Sequence, residues 1–300
     1  MSARDKIAAQ QASVRQSEQR RRVLIAAASV TAVIAVVIAL IVVRSLSGTN
    51  SGSSAGVSSA STVAATVGKD IANVPQTTLD KVGAGLAYPA KGGVYPHAIQ
   101  AVSPAVSILK NDGKPQVAYV GAEYCPYCAA ERWALAVALS RFGSFSGVGL
   151  IHSKGGAEAY PLTPTLTFYK SAYTSKYVTF SPTEAATVTE QPLQTMTTLD
   201  KALMSKYDAP PYVPSNASGS FPFVDFGNQY VIAGASYDPA TLAGLTWAQI
   251  GADLANPSSA AGEAIDGTAN RMTAAICALT GNQPGAVCTS KAVTSASGSI

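Results

Sequence analysis

The longest run of mainly apolar residues covers positions 23–43 and contains no charge, proline or glycine. About 20 consecutive apolar residues span a bilayer core as a helix, so this run predicts one N-terminal transmembrane helix. A cleaved signal peptide is the alternative interpretation. Its apolar region is typically ~7–15 residues long and ends at a small-residue cleavage site. Here the run is longer, and Arg44 follows it directly.

Beyond residue 114 the pattern of apolar positions predicts a mixed α/β domain. A short apolar run at 117–121 predicts a buried strand. Residues 129–142 lack glycine and proline and predict a helix that is apolar around much of its surface. Residues 147–152 predict the second core strand. The remaining predicted elements beyond residue 114 are hairpins at 165–180 and 221–233 and helices at 192–207, 239–254 and 258–279. A further short helix is predicted before this domain, at 76–83.

The segment that follows the apolar run has a different composition. Residues 44–68 are mostly Ser, Gly, Thr, Ala and Val, which predicts a flexible linker. A folded domain is then expected over 69–300, with its core at 115–256 and a C-terminal helical segment at 258–288.

Charge is distributed unevenly along the chain, whose formal net charge is +4. Residues 1–22 hold six basic and two acidic side chains, a net of +4, so the rest of the chain is neutral. The positive-inside rule therefore places this basic tail in the cytoplasm and the C-terminal domain outside the cell membrane. A neutral domain lacks the basic surface that nucleic-acid binding requires, so no nucleic-acid partner is predicted.

Two of the four cysteines, Cys125 and Cys128, form a Cys-Pro-Tyr-Cys sequence between the predicted strand at 117–121 and the predicted helix at 129–142. At a helix N-terminus, unpaired N–H groups and the helix dipole stabilise a thiolate, and a CxxC sequence can lower its pKa. The arrangement suits thiol–disulfide exchange, with Cys125 as the exposed nucleophile and Cys128 as the resolving thiol.

A zinc site and an inert structural disulfide are the alternatives for this CxxC. Zinc would need four ligands, to which Cys277 and Cys288, or His97 and His152, would have to contribute. Neither pair has the spacing of zinc ligands, so no metal is predicted. A static disulfide remains open from the sequence alone.

The other two cysteines, Cys277 and Cys288, lie 11 residues apart, between a predicted helix end and a loop. The predicted extracytoplasmic location permits disulfides, so we expect a structural disulfide here, with a second redox pair as the alternative. Closing a loop of this size contributes ~2–3 kcal/mol in the chain-entropy model.

The residues around the CxxC carry a resemblance to a known family. Residues 121–133, Gly-Ala-Glu-Tyr-Cys-Pro-Tyr-Cys-Ala-Ala-Glu-Arg-Trp, resemble the signature of a membrane-anchored thioredoxin-like family of archaea and actinobacteria described as domain of unknown function 929. The resemblance extends over about 114–288 and includes residues 221–228. It implies a thioredoxin-like fold, with the hairpin at 165–180 and the helix at 192–207 inserted between the second and third core strands.

A thioredoxin-like fold also implies a cis-proline that faces the CxxC. Pro222 is favoured because a Gly-Asn hairpin and a final helix follow it. Pro164 is the second candidate, since its local sequence resembles that of thioredoxin.

One departure from the family pattern concerns proton transfer. Thioredoxins hold a buried acid six positions before the first cysteine, and Tyr119 occupies that position here. Another group would then have to transfer protons, and Glu123 is a candidate. Glu131 and Arg132 are expected to be surface charges of the helix, and His152 is expected to be structural.

These features predict a membrane-anchored extracytoplasmic thiol–disulfide oxidoreductase that acts on exported proteins and exchanges electrons with a membrane redox partner. No cofactor is implied. The alternative is a non-enzymatic thioredoxin-like binding or envelope-assembly domain with a static disulfide. A buried Cys125 sulfur without a peptide groove beside Pro222 would favour that alternative.

Overall fold

A computed structural model describes residues 55–85, 99–103 and 106–300. The predicted basic tail at 1–22 and the predicted transmembrane helix at 23–43 lie outside these ranges. Within the described ranges, every helix is too short or too polar to cross a bilayer.

The elements follow one another from residue 55 to the C-terminus. The strands of the described ranges are β1 (Gln100–Ala101), β2 (Lys110–Asn111), β3 (Lys114–Gly121), β4 (Gly143–Ser146), β5 (Gly149–His152), β6 (Pro164–Thr167), β7 (Ala172–Ser175), β8 (Thr179–Glu184), β9 (Phe223–Phe226) and β10 (Tyr230–Ala233). The α-helices are α1 (Ala55–Ala72), α2 (Gln76–Val82), α3 (Pro126–Ser140), α4 (Thr198–Tyr207), α5 (Trp247–Asp253), α6 (Ala260–Leu279), α7 (Gly285–Cys288) and α8 (Lys291–Ala296). Short 3-10 turns cover Ser215–Ala217, Pro239–Leu242 and Ser297–Ser299.

The centre of the fold is a mixed sheet built around β3. β3 pairs in parallel with β8 on one side and antiparallel with β9 on the other. β10 pairs antiparallel with β9, and β1 pairs antiparallel with β10. β2 pairs with the first residues of β3. The order β8–β3–β9–β10 places the C-terminal end of β3, where the CxxC begins, in the interior of the sheet.

Two hydrophobic clusters cover the two faces of this sheet, because side chains alternate along a strand. Val117 and Tyr119 of β3 pack into the larger cluster with α3, α6 and the buried Trp133. Ala118 and Val120 pack into the smaller cluster with α4. β3 is therefore buried on both faces, as its continuous apolar run predicts.

The strand predicted at 147–152 is present, but it is not the second core strand, and the predicted hairpin at 165–180 is wrong. Residues 149–152 form β5, which pairs with β6 in a separate two-stranded sheet, and β7 pairs with β4. β8 is the strand beside β3. Its sequence contains Pro182 and shows little alternation between apolar and polar residues. In the described ranges, β3 is its only partner strand. Proline is tolerated in such an edge strand, so β8 does not resemble a core strand locally.

The linker prediction for 44–68 is wrong from residue 55 onward. α1 occupies this stretch, and Val67 and Ile71 are buried in the larger cluster. Val63 packs against the same cluster and is partly buried. These three residues recur every four positions and form one apolar helix face, which supplies packing energy that composition alone does not reveal.

The other helix predictions agree with the structure in outline. Those at 76–83, 129–142 and 258–279 are confirmed as α2, α3 and α6, and the hairpin at 221–233 is confirmed as β9 and β10. The Cys277–Cys288 disulfide is also present and joins α6 to α7.

Two predicted helices have different bounds. The one at 192–207 begins later, because Thr197 and Asp200 form a reciprocal capping box that fixes the start of α4. The one at 239–254 divides into a 3-10 turn and α5, separated at Gly244, whose φ is +76°.

Candidate functional site

The two cysteines of the CxxC lie where β3 ends and α3 begins. Cys125 is the N-cap residue of α3, and its sulfur accepts a hydrogen bond of 3.3 Å from the backbone N–H of Cys128. Pro126 follows at the first helical position, where the missing N–H leaves no hydrogen bond unmade. The first turn of α3 thus brings the two thiols together at a helix N-terminus.

Both cysteines are free thiols, and both are buried. Cys125 is 7% exposed and Cys128 is 0% exposed. The prediction of an exposed Cys125 is therefore wrong, although the Cys125 side chain is more exposed than that of Cys128. Its thiol donates a hydrogen bond of 3.7 Å to the carbonyl of Phe221, which partly covers the sulfur.

The predicted cis-proline, Pro222, lies beside the CxxC. The Phe221–Pro222 peptide bond is cis, as the sequence prediction favoured, and the Phe221 carbonyl is the group that contacts the Cys125 sulfur. Pro164, the second candidate, begins β6 and has a trans bond. Its carbonyl accepts a hydrogen bond of 3.0 Å from the Trp133 side chain.

The two thiols differ in acidity. The hydrogen bond from the Cys128 thiol lowers the pKa of Cys125, although burial opposes this change. Burial raises the pKa of Cys128 well above its ordinary value, and the hydrogen bond to Cys125 raises it further. The positive charge of Arg132 lowers the pKa of both thiols. Cys125 is therefore the thiol that ionises first.

The predicted surface position of Arg132 is wrong, because this side chain is fully buried in an ion pair with Glu184. Its Nε and Nη2 atoms donate to the two carboxylate oxygens of Glu184 at 2.8 and 2.7 Å. Nη2 also donates to the carbonyl of Ala122 at 2.7 Å. α3 is buried on nearly every side, so a charge within it has no route to solvent.

The predicted surface position of Glu131 is also wrong. Glu131 is 0% exposed, and its carboxylate accepts hydrogen bonds from the backbone N–H and the hydroxyl of Ser236 at 2.8 and 2.9 Å. Burial raises its pKa from an ordinary value of 4.5 to about 7, although the bonds from Ser236 oppose the change.

This elevated pKa predicts a pH dependence of stability. Between pH 4.5 and about 7 the unfolded chain loses the Glu131 proton while the folded chain keeps it. The free energy of unfolding therefore falls as pH rises through this window, by on the order of 3 kcal/mol at ~1.4 kcal/mol per pKa unit. We expect Glu131→Gln to show a smaller fall in urea titrations across the window. Equal pH slopes for the variant and the wild type would contradict this assignment.

Tyr119 is fully buried, and the Arg132 guanidinium carbon lies 5.9 Å from the centre of its ring. Its hydroxyl has no hydrogen-bond partner within the described ranges, and burial raises its pKa well above the ordinary value. A β-carbon at Gly121 would collide with this hydroxyl, so glycine makes room for it. Glu123, the predicted proton-transfer group, instead accepts a hydrogen bond of 2.7 Å from the Thr167 hydroxyl.

The loop between β5 and β6, residues 153–163, borders the CxxC. The Lys154 N–H donates a 2.9 Å hydrogen bond to the carbonyl of Tyr124, the residue before Cys125. The ring of Tyr127, between the two cysteines, meets the ring of Tyr160 edge to face at 5.8 Å. An inserted segment thus forms part of the rim of the site.

The described ranges contain no group of three or more His, Cys, Asp or Glu side chains that could hold a metal ion. His152 packs against the Trp247 ring, with ring centres 4.2 Å apart, and His97 lies outside those ranges.

Comparison with known proteins gives one match. A family model described as "Domain of unknown function (DUF929)" matches residues 105–278, which include the whole site. No curated protein and no solved structure matches the chain.

Proposed function

The chain belongs to the family described as Domain of unknown function (DUF929), and that description names no activity. We therefore propose its function from the geometry of the site. We propose that the protein is a thiol–disulfide oxidoreductase that acts through Cys125 and Cys128. The observation that carries this proposal is the pair of free thiols at the N-terminus of α3, of which Cys125 has the lowered pKa.

The architecture supports a finer inference, namely that the domain is thioredoxin-like. A strand leads into the CxxC and a helix, and the sheet order β8–β3–β9–β10 combines one parallel pair with two antiparallel pairs. α4 connects β8 to β9, and helices follow β10. In this scheme β4 to β7 are the insertion, and they lie between the first and second core strands.

The proposed reaction is an exchange of one disulfide for another. The Cys125 thiolate attacks a substrate disulfide, forms a mixed disulfide and releases one substrate thiolate, which takes up a proton. Cys128 then loses its proton and attacks the Cys125 sulfur. This second attack forms the Cys125–Cys128 disulfide and releases the other substrate sulfur as a thiol. Two electrons pass to the substrate, and the reverse sequence oxidises a substrate dithiol.

The predicted N-terminal span and the basic tail that precedes it support a setting of the domain at the cell membrane, on its outer side. Exported proteins with thiols or disulfides are the substrates that we propose, and a membrane protein would restore the redox state of the cysteines. Disulfides persist in that compartment, where an exchange catalyst has substrates.

A redox titration of the purified full-length chain in detergent tests the proposal. The chain is equilibrated in glutathione buffers, and free thiols are alkylated and counted by mass spectrometry. We expect the Cys125–Cys128 pair to titrate reversibly between roughly −120 and −270 mV, the range of known exchange catalysts. The Cys277→Ser/Cys288→Ser variant assigns the titrating pair. A pair that resists reduction below about −300 mV would refute the proposal.

The burial of Cys125, which is 7% exposed, favours one alternative function. A non-enzymatic binding domain needs no accessible sulfur and would hold a static disulfide. The titration separates the two functions, because a structural disulfide has a potential below that of exchange catalysts.

A further inference from the structure

We propose that Arg132 is a positioning residue for the exchange reaction, whose fixed positive charge stabilises the thiolates of Cys125 and Cys128. The proposal rests on the proposed function. It concerns the electrostatic stabilisation of the thiolates and leaves the proton-transfer group unassigned.

The first observation is the placement of Arg132. It follows Cys128 by four residues on α3, one helical turn away, so the two side chains lie on the same face of the helix. Both residues are 0% exposed. In this interior the field of a fixed charge is screened far less than at the surface.

The second observation is how Arg132 is held. Glu184 at the end of β8 binds two guanidinium nitrogens, and the Ala122 carbonyl, three residues before Cys125, binds one of them as well. Three elements therefore fix the cation: α3, the end of β8 and the turn that enters the CxxC. A cation held this rigidly requires little reorganisation when negative charge forms beside it.

The third observation is an unused donor. Nη1 of Arg132 is buried and has no hydrogen-bond partner within the described ranges. An unpaired donor on a buried charged group is costly. A thiolate that forms one helical turn away during the reaction adds a second negative charge to the surroundings of Arg132, beside that of Glu184.

The resolving step shows why the cation matters. Cys128 must ionise to attack the mixed disulfide, and burial makes its ionisation unfavourable. Arg132 opposes this effect at Cys128 and adds to the acidity of Cys125. The carboxylate of Glu184 offsets part of this field, and the positive charge of Arg132 is the one that lowers the pKa of both thiols.

Other titratable groups also surround the two cysteines and Arg132. Tyr119 of β3 and Glu184 of β8 face Arg132, and Tyr124 and Tyr127 are electrostatically coupled to Cys125. Glu131 is bound by Ser236. Tyrosine and glutamate side chains are neutral or negative, so Arg132 is the cation that acts on both thiols.

The test measures the pKa values of both thiols by NMR of cysteine labelled with ¹³C at Cβ in the reduced full-length chain. Removal of Arg132 alone would leave Glu184 buried and unpaired, so the main variant is the apolar pair Arg132→Met/Glu184→Met. Apolar replacement of a whole buried ion pair is often neutral or stabilising. We expect the apparent pKa values of the two thiols to rise by about one unit or more. The alkylation rate of Cys125 near neutral pH should fall about tenfold.

Three further variants complete the design. Arg132→Lys keeps the charge and should keep both thiol pKa values close to those of the wild type. Lys154→Gln/Glu190→Gln removes an exposed ion pair near the site and should change neither value. If the methionine pair does not fold, Arg132→Gln/Glu184→Gln replaces it as the neutral variant.

Unchanged thiol pKa values in a folded neutral variant would overturn the proposal, as would an equally large rise in Arg132→Lys. The pKa measurement needs no substrate and no turnover. Absence of exchange activity in the wild type would therefore refute the proposed function, and a failed pKa shift would refute the role of Arg132.

Discussion

Glu184→Gln is expected to lower the free energy of unfolding by about 3–5 kcal/mol, because it leaves the Arg132 guanidinium buried without a counter-charge. Both side chains of this ion pair are 0% exposed, and two hydrogen bonds of 2.7 and 2.8 Å join them. Glu184 also accepts a hydrogen bond of 3.3 Å from the Phe168 N–H. Urea denaturation of the wild type and the variant at one pH measures the difference.

The chain offers a matched control in a second ion pair. Lys154 and Glu190 are joined at 2.9 Å, but their side chains are 38% and 49% exposed. Solvent screening reduces such a pair to about 0–1 kcal/mol, so Glu190→Gln should leave the unfolding free energy almost unchanged. A Glu184→Gln loss as small as that of Glu190→Gln would contradict the buried ion pair.

Cys128→Ser is expected to abolish multiple turnover and to trap substrate on Cys125. Cys125 keeps its place as the helix N-cap, and the backbone N–H of residue 128 can still donate to its sulfur. The first attack therefore proceeds, but no thiol is left to break the mixed disulfide. With a reporter protein that contains one accessible disulfide, we expect a single equivalent of covalent adduct by mass spectrometry.

Two controls accompany the trapping experiment. Cys125→Ser should form no adduct, because the buried Cys128 has a raised pKa and no exposure. Cys277→Ser/Cys288→Ser should turn over as the wild type does. If Cys128→Ser turns over at the wild-type rate, or if Cys125→Ser is the variant that traps substrate, the assigned roles of the two cysteines are wrong.

The sequence predicted those parts of the fold that local patterns determine. The apolar run of β3, the helix that follows it and the CxxC between them are contiguous in the chain. The Gly-Asn turn between β9 and β10 is equally local, since Gly227 and Asn228 both have positive φ. The choice of Pro222 over Pro164 relied on the order of such local elements.

The sequence did not reveal the parallel pairing of β8 with β3. Parallel neighbours are joined through long crossovers, and no local turn marks them. The register that sets Gly121 opposite Glu184 brings the Glu184 carboxylate to the first turns of α3. The Arg132–Glu184 pair depends on this register, so it could not be found without the correct second strand.

The pattern of the helix at 129–142 also bears on its two charged residues. The helix at 129–142 was predicted to be apolar around much of its surface and largely buried. Glu131 and Arg132 lie in the middle of that helix, and a largely buried helix leaves no solvated face for two adjacent charges. The same pattern therefore indicated that both charges needed partners inside the protein.

The small exposed area of Cys125 bears on the chemical lifetime of the site. A thiolate that peroxide reaches passes through sulfenic acid to sulfinic and sulfonic acids, and the last two are irreversible. Susceptibility follows both thiolate character and exposure, and Cys125 combines a lowered pKa with a sulfur partly covered by the Phe221 carbonyl. Cys128, whose backbone N–H donates a hydrogen bond to that sulfur, can condense with a sulfenic acid on Cys125 before further oxidation and release water. The same burial that slows access therefore protects the dithiol from irreversible oxidation.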